Sequence, residues 1–249
     1  MKVLINGING KMGQVLLNEI NNTKNIEVVA GVSRTESELK IPVYTNANDI
    51  KEKVDIVIDF STPEGTLNIL KYSKEKSIPV VIATTGFTKE QQDEILKYSK
   101  SIPVFQSSNM SYEINLMCDM VAKLAKELSN SDIEIVETHH KNKVDAPSGT
   151  ALMLANSIND AKKGEMEYTY DRHSRKEKRK DKEIGIHSIR GGNEVGKHTV
   201  LFFGDNESFE ITHTVNSRSI FAKGAMKAAE FIIDKTNGFY NMKDLIKGD

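Results

Sequence analysis

The stretch KVLINGINGKMG, residues 2–13, decides the fold that we expect for this chain. Residues 3–5 are an apolar run typical of a strand that is buried on both faces. Three glycines follow with the spacing GxxGxxG, and apolar residues then recur at helical spacing, at Met12, Val15, Leu16 and Ile20. A strand, a glycine turn and a helix in this order predict the start of a dinucleotide-binding domain.

The three glycines of this turn are Gly7, Gly10 and Gly13. They would let the backbone come close to a pyrophosphate, whose charge is stabilised at the N-terminus of the following helix. The first step of the spacing is one residue longer than in the commonest dinucleotide-binding turn. Glycine-rich turns between a strand and a helix also occur without a ligand, so the motif by itself leaves that alternative open.

Arg34 stands where many NAD-binding chains carry a carboxylate, just after the second predicted strand, residues 26–32. A guanidinium suits a 2′-phosphate, so we expect NADPH to be accepted, and Lys11 in the glycine turn would add a second positive charge. The alternative is that Arg34 is a solvated loop residue, because Glu36 and Glu38 lie close to it in the sequence.

Predicted strands and helices alternate through residues 54–105 without a hairpin signal, which indicates a parallel sheet. Small polar residues or glycine follow three of these strands, where a doubly wound sheet forms its ligand crevice. Such residues leave room for a nicotinamide and can hydrogen-bond its amide and ribose. Ordinary turn chemistry explains any one of the three strand ends, but it explains all three less well. The residues at these ends are Ser61, Thr62, Thr84, Thr85, Gly86, Ser107, Ser108 and Asn109.

A second stretch, ETHHKNKVDAPSGT at residues 137–150, collects polar groups that point to chemistry. It continues a period-two pattern that places His139 on the apolar face of a strand and His140 on the opposite face. An imidazole exchanges protons near neutral pH, so His139 can donate one, and Lys143 can hold a carboxylate or supply a proton itself.

Ser148, Gly149 and Thr150 end this stretch at the start of a predicted helix. Backbone N–H groups and two hydroxyls at a helix start can bind a second carboxylate. The whole set therefore predicts a small substrate with two carboxylates and a reduction that needs a proton.

Two other interpretations of residues 137–150 stay open. Adjacent histidines can bind a metal, but neighbours in a strand point apart and the spacings HxH and HExxH are absent, so we predict no metal site. The stretch can also be a structural polar loop, because its cations and its helix cap need no ligand.

Residues 162–183 carry the strongest charge run of the chain. A nucleic-acid patch is conceivable, but aromatic residues are few and no partner motif is present, so an exposed, mobile loop is favoured. Three strands are predicted after it, at residues 184–190, 197–204 and 207–215, with glycine-containing turns that suit antiparallel connections. Only two predicted helices are available nearby to cover this sheet, so its open face is a candidate subunit interface.

A final helix, predicted for residues 219–236, lies too far along the chain to belong to that sheet, and we expect it to return to the nucleotide domain. The predicted fold class is α/β, with an N-terminal Rossmann dinucleotide-binding domain at residues 1–109 and 216–249. The predicted second domain, residues 110–215, is an α+β substrate-binding and oligomerisation domain with an open mixed sheet.

Composition excludes several classes of protein. The 249 residues are 38% hydrophobic and 28% charged, with a formal net charge of -1, so we expect neither nucleic acid nor a membrane as partner. Cys118 is the single cysteine, which excludes a disulfide within the chain and favours the cytoplasm. The start MKVLING does not read as a signal peptide, and no apolar run approaches the roughly 20 residues that span a bilayer.

Seven segments of the chain together resemble the dihydrodipicolinate reductases, also called 4-hydroxy-tetrahydrodipicolinate reductases, of bacterial lysine and diaminopimelate synthesis. The resemblance covers essentially the whole chain. Its histidine-lysine-SGT signature is very specific, whereas the glycine turn alone is not. The segments are GINGKMG (7–13), DFSTPEGT (59–66), ATTGF (83–87), SSNMSYEIN (107–115), HHKNKVDAPSGT (139–150), RGGNEVGKH (190–198) and FAKGA (221–225).

The resemblance implies reduction of a small cyclic dicarboxylate by NADPH or NADH, in a homotetramer built through the open sheet. It implies that His139 is the general acid and that Lys143 is its cationic partner. The implied substrate-binding residues are His140, Ser148, Gly149 and Thr150. The implied cofactor contacts are Gly7, Lys11, Met12 and Arg34 at the phosphates and ribose, and Thr85, Gly86 and Asn109 along the nicotinamide.

Two departures from the family pattern bear on these implications. Some relatives carry an acidic residue where Ser33 stands, which bears on the preference for NADH. The basic segment from Arg172 lacks the glycines associated with the family. A non-catalytic module that senses a nucleotide is the alternative function, but a sensor has no use for a proton donor such as His139.

Overall fold

The computed structural model describes residues 1–35 and 37–248, and the chain divides into two compact units. The first unit joins residues 1–112 to residues 218–249, and the second unit is residues 113–217. Glu36, one of the two acidic residues close to Arg34 in the sequence, lies outside the described residues. The elements follow in the order β1 (Lys2–Asn6), α1 (Lys11–Asn21), β2 (Glu27–Val32), β3 (Val43–Tyr44), a 3-10 turn (Ala47–Asp49), β4 (Ile56–Asp59), α2 (Pro63–Lys76), β5 (Val80–Ile82), α3 (Lys89–Tyr98), β6 (Pro103–Gln106), α4 (Tyr112–Glu127), β7 (Asp132–His139), α5 (Gly149–Ala161), β8 (Glu167–Thr169), β9 (Glu183–Arg190), β10 (Gly196–Phe203), β11 (Ser208–Val215), α6 (Ser219–Ile232), β12 (Gly238–Tyr240) and α7 (Met242–Lys247).

Seven parallel strands form the sheet of the first unit, in the order β12-β6-β5-β4-β1-β2-β3. Their apolar runs are buried on both faces, because α1 and α6 pack on one side and α2 and α3 on the other. The strand order reverses beside β1, and sheets of this kind bind ligands at the carboxyl ends of the strands where the order reverses. The predicted Rossmann-type α/β fold is confirmed.

The glycine turn between β1 and α1 is packed too closely for side chains. Gly7 has a φ of +82°, which favours glycine, and a Cβ atom there would lie 2.6 Å from the carbonyl oxygen of Phe60. A Cβ atom on Gly13 would lie 2.3 Å from the carbonyl oxygen of Gly7. Helix α1 therefore begins directly against the turn, and backbone contact alone requires these two glycines.

Five strands form the mixed sheet of the second unit, in the order β11-β10-β7-β9-β8. β10 pairs antiparallel with β7 and β11, whereas β7 and β8 pair parallel with β9. The hairpin of β10 and β11 agrees with the predicted antiparallel connections. β9 also runs antiparallel to β10, but the two strands do not pair, because β7 lies between them. Buried and more exposed residues alternate along the whole of β7, so one face of the strand is buried while both edges bond neighbouring strands.

Helices α4 and α5 cover one face of this mixed sheet. Val200 of β10 packs there in one cluster with Val121 of α4 and Leu154 of α5. The opposite face is open, and it carries Ile189 and Phe203, which are 51% and 42% exposed. The expectation of a sheet with one open face is confirmed.

The basic segment, residues 171–182, is a mostly exposed loop, as expected, and its arginines attach it to that open face. Its arginines bind Glu134 of β7 and Glu183 of β9 at distances of 2.5 to 3.3 Å. Burial by itself raises the pKa of Glu183, but the arginines lower that pKa to about 2. The arginines involved are Arg172, Arg175 and Arg179.

Five short elements were not predicted, namely β3, the 3-10 turn, β8, β12 and α7. Strands of two or three residues and a single helical stretch of six are too short to show a period in the sequence. Within residues 1–35 and 37–248, no helix is long and apolar enough to cross a membrane. Those same residues contain no group of three or more His, Cys, Asp or Glu side chains that could hold a metal ion.

Candidate active site

His139 is the last residue of β7, and the alternation of that strand points it into the covered face of the mixed sheet. It is 8% exposed, and its Nδ1 atom lies 2.5 Å from Oε2 of Glu137, two residues earlier on the same face. A Cβ atom on Gly196 would lie 3.1 Å from Nε2 of His139. The missing side chain at Gly196 therefore keeps space beside the second ring nitrogen, as a proton donor to a small molecule needs.

Glu137 is a fully buried carboxylate that is held from three sides. Arg190 grips it with two hydrogen bonds of 2.8 Å, one to each carboxylate oxygen, and the backbone N–H of Ser148 donates to Oε1 at 3.2 Å. Burial alone raises the pKa of Glu137, but the bonds from Arg190, Ser188 and His139 lower it to about 2. The group is therefore an anion at neutral pH, with a fixed orientation.

His198 of β10 lies on the other side of His139. The two ring centroids are 5.1 Å apart and the planes cross at 73°. Burial, and next the charge of His139, lower the pKa of His198 to about 4, so its ring is neutral at pH 7. His198 can therefore form hydrogen bonds here without adding charge beside His139.

Ser148 is the N-cap of α5, and its polar groups are engaged inside the protein. Its Oγ atom accepts from the backbone N–H of Ala151 at 3.2 Å and lies 2.9 Å from Nε2 of His198. Its own N–H donates to Glu137. Gly149 is exposed, and a Cβ atom there would meet no described heavy atom within 4 Å, so open space lies at the start of α5 beside the serine.

Lys143 lies in the turn after β7 and forms an ion pair with Asp145, with Nζ–O distances of 2.8 and 2.9 Å. The pair with Lys143 lowers the pKa of Asp145. Arg190 also donates to the backbone oxygen of Asp145 at 2.6 Å, so one guanidinium connects this turn to Glu137. The ammonium group of Lys143 therefore already has a carboxylate partner within the same turn. His140 follows β7 directly, is half-buried, and accepts from the N–H of Lys143.

A separate cavity of about 820 Å³ lies in the first unit, at the carboxyl ends of its central strands. Gly7, Gly10 and Arg34 line it, together with Thr62 and Asn48. The other predicted cofactor residues do not line this cavity. Lys11 is exposed, Met12 packs against the core, and Gly13 packs against the glycine turn. The remaining residues follow β5 or β6 in the chain, namely Thr84, Thr85, Gly86, Ser108 and Asn109.

Asp59, at the end of β4, ties the strand ends of the first unit together. Its fully buried carboxylate accepts from Asn6 at the end of β1 at 2.8 Å and from Thr84, after β5, at 2.9 Å. Thr66 and Ser61 also donate to it. Burial raises the pKa of Asp59. The hydroxyl of Thr84 is therefore engaged by the protein, whereas Thr85 and Gly86 after it are exposed, and Gly86 has a φ of +85° with open space around it.

Sequence reasoning missed four residues of these two sites, which are Glu137, Arg190, His198 and Asp59. Glu137 had a usable signal, because it stands two residues before His139 in a strand and must share its face. Arg190 and His198 belong to other strands, and only the strand order brings them to β7.

Comparisons with known proteins agree with this architecture. Residues 1–110 match the family described as "Dihydrodipicolinate reductase, N-terminus", and residues 113–246 match "Dihydrodipicolinate reductase, C-terminus". A 4-hydroxy-tetrahydrodipicolinate reductase of Caldanaerobacter subterraneus subsp. tengcongensis is 47% identical over 99% of this chain and 98% of its own. One of Clostridium novyi is 46% identical with the same coverage.

A solved structure, dipicolinate-bound dihydrodipicolinate reductase from Paenisporosarcina sp. TG-14, superposes with a TM-score of 0.82 at 25% identity. It covers 97% of both chains. Both halves of the chain match the same family, and relatives near half identity match it from end to end. The chain therefore belongs to the dihydrodipicolinate reductase family.

Proposed function

We propose that this protein reduces 4-hydroxy-tetrahydrodipicolinate to tetrahydrodipicolinate with NADPH or NADH, in lysine and diaminopimelate biosynthesis. The reaction removes water from the ring, adds a hydride and a proton, and oxidises the nicotinamide. The observation that carries the proposal is the buried imidazole of His139 on a fixed carboxylate, beside the open start of α5 and the cation of Lys143. Membership of the family adds the substrate class.

In this proposal His139 is the general acid. Glu137 forms a hydrogen bond with Nδ1 of His139, and Gly196 leaves space beside Nε2. The substrate therefore receives the proton from Nε2. Lys143 stabilises the charge of a substrate carboxylate and gives up part of its ion pair with Asp145 when the substrate binds.

The substrate carboxylates are proposed to bind at the turn after β7 and at the start of α5. Backbone N–H groups of the first helical turn and the positive end of the helix dipole favour an anion there. Because Ser148 already bonds Glu137 and His198, we assign the direct contacts chiefly to its neighbours. The proposed residues are His140, Ser148, Gly149 and Thr150.

The first unit is proposed to bind the cofactor, which supplies the hydride when it is bound. The turn fits a pyrophosphate, because Gly7 and Gly10 have no side chains and line the cavity of about 820 Å³. Arg34 lines the same cavity and suits a 2′-phosphate. The remaining proposed contacts are Lys11, Met12 and Gly13 at the turn and Thr84, Thr85, Gly86, Ser108 and Asn109 on the nicotinamide side.

The second unit is proposed to bind the substrate and to assemble a homotetramer through its open face. Ile189 and Phe203 are large apolar residues that are exposed on that face. Exposed apolar patches on one side of a sheet are typical of interfaces between subunits.

The test is the consumption of NADPH or NADH absorbance when freshly made substrate from the condensation of pyruvate with aspartate semialdehyde is added. We expect turnover with at least one cofactor. His139→Gln should lower kcat by ~10²-fold or more with little change in KM, because it removes the general acid. Near-normal kcat in that variant contradicts the role of His139. No turnover by the parent protein, with cofactor binding retained, would instead favour a nucleotide sensor.

A further inference from the structure

We infer that Glu137, clamped by Arg190, is the positioning residue of His139: it keeps a proton on Nδ1, so that Nε2 is the nitrogen that exchanges a proton with the substrate. The inference rests on the proposed function for its chemical consequence. The geometry behind it belongs to the second unit alone and is present without any ligand.

The carboxylate of Glu137 has no freedom to turn away from His139. Each of its oxygens accepts from one nitrogen of the Arg190 guanidinium at 2.8 Å, a two-pronged grip that fixes the carboxylate plane. The N–H of Ser148 adds a third bond at 3.2 Å. With Glu137 fully buried and fixed, the 2.5 Å contact from Oε2 to Nδ1 sets the orientation of the imidazole ring.

The charge state of Glu137 decides which ring nitrogen carries the proton. An ionised carboxylate can only accept hydrogen bonds, so Nδ1 must be the donor. A neutral imidazole has one N–H, and it is therefore at Nδ1, which leaves Nε2 ready to take and return a proton. When both nitrogens are protonated, the anion of Glu137 offsets the positive ring.

The other charged and titratable groups near His139 are either paired or neutral. Arg190 is paired with Glu137, and Lys143 is paired with Asp145, so each cation has a partner. His198 packs on the ring from β10 and is neutral at pH 7. Glu137 is thus the anion that touches the His139 ring.

The same strand provides a matched control. Glu134 of β7 lies on the open face and also holds a histidine, with 2.7 Å between its Oε2 atom and Nε2 of His187. It is likewise bonded by arginines, Arg172 and Arg179. Glu134→Gln therefore removes a partly buried carboxylate that also holds a histidine, from the same strand, without touching His139.

The first measurement is the nitrogen chemical shifts of the histidine rings by NMR, with the His139 signals assigned from their loss in His139→Gln. We expect the parent protein and Glu134→Gln to show the neutral His139 ring protonated at Nδ1. Glu137→Gln, whose amide can also donate, should shift the population toward Nε2–H. An unchanged tautomer in Glu137→Gln, or an Nε2–H tautomer in the parent protein, overturns the inference.

The second measurement is kinetic. Glu137→Gln should lower kcat by ~10²-fold with KM changed less than about threefold, and Glu137→Asp should recover part of the loss. In the His139→Gln background, Glu137→Gln should add no further loss of kcat, because the group that it positions is already gone. A further loss of the same size in that background would mean a structural role and would overturn the inference.

A second variant covers the case in which Glu137→Gln does not fold, and the NMR measurement separates this inference from the proposed function. If Glu137→Gln does not fold, as judged by thermal unfolding, Arg190→Lys replaces it, because lysine keeps the charge but not the two-pronged grip. Because Glu137 stays ionised in that variant, His139 should keep its proton on Nδ1, whereas kcat should fall because two bonds no longer fix the carboxylate plane. That fall should not add to the loss in His139→Gln, and an Nε2–H tautomer or an additive loss overturns the inference. If the parent protein shows no turnover, the proposed function fails, while the NMR measurement still decides whether Glu137 sets the tautomer.

Discussion

Ser148, which is expected to bind a substrate carboxylate, also connects three elements of the second unit. Its N–H bonds Glu137, and its hydroxyl caps α5 and contacts His198. Together, these backbone and side-chain bonds link β7, β10 and α5 around His139. The anion-binding capacity of this helix start therefore depends on Ser148 mainly through the positions that it gives to its neighbours.

At Arg34 the structure supports a test of cofactor preference. Arg34→Ala should raise KM for NADPH by roughly tenfold or more, since hydrogen bonds to charged groups are worth about 1.5–3 kcal/mol. KM for NADH should change little, because NADH has no 2′-phosphate. Asn48→Ala, a neutral change in the same cavity, is the control. Equal effects of Arg34→Ala on both cofactors would rule out contact with the 2′-phosphate.

His198 gives a prediction for stability against pH. Its pKa is lowered to about 4 in the folded protein, mainly by burial, while the unfolded chain has an ordinary histidine. The unfolded state therefore binds more protons between pH 6.5 and 4, and the free energy of unfolding falls as the pH falls through that window. From pH 7 to pH 5 the loss from this residue should be about 2 kcal/mol.

Urea unfolding of the parent protein and of His198→Gln at pH 7 and pH 5 measures this effect. The variant should be less stable at pH 7 but should lose less free energy between the two pH values. Equal losses in both proteins would show that His198 is not the titrating group.

At the scale of elements, the basic segment 171–182 is a strap across the acidic part of the open face. Its arginines meet carboxylates of β7 and β9, and Glu183 among them is 1% exposed. A buried carboxylate that loses its cations is strongly destabilising. The strap is thus part of the folded second unit.

Removing two of its arginines should release this strap. Arg172→Ala combined with Arg175→Ala should lower the free energy of unfolding by on the order of 3 kcal/mol, because Glu183 keeps no side-chain cation from either residue. Trypsin should then cleave within residues 171–182 faster than in the parent protein. Lys178→Ala, an exposed change in the same segment, should alter neither quantity. Parent-like cleavage in the double variant would contradict the role of these arginines.

At the scale of the whole molecule, the open face of the mixed sheet is the surface through which we expect the tetramer to assemble. Phe203→Asp places a charge on the proposed interface, so light scattering after size exclusion should show a species smaller than the tetramer. Phe209→Asp is the matched control, since Phe209 is 49% exposed on the same sheet but pairs with Phe202, whose side chain lies on the opposite face. A tetramer that survives Phe203→Asp, or a monomeric parent protein, contradicts assembly through this face.

The sequence by itself determined the features that depend on nearby residues. Within the GxxGxxG turn, Gly13 is required because the backbone atoms of Gly7 and Ile8 lie against it, and Gly7 has a positive φ; the contact of Gly7 with Phe60, in contrast, comes from the tertiary fold. The period-two pattern of β7 was enough to predict that His139 lies on the covered face. A serine favours the N-cap position, so the helix start at Ser148 was also predictable. Periods, turns and caps act over a few residues, so they can be read without the fold.

Only the tertiary structure decided which distant residues meet at these features. Arg190 reaches Glu137 across 53 residues, His198 reaches Ser148 across 50, and Arg172 reaches Glu134 across 38. These contacts exist because β7 lies at the centre of the mixed sheet, between β9 and β10. No local pattern carries that choice, because a strand with one apolar face can accept several neighbours in any order.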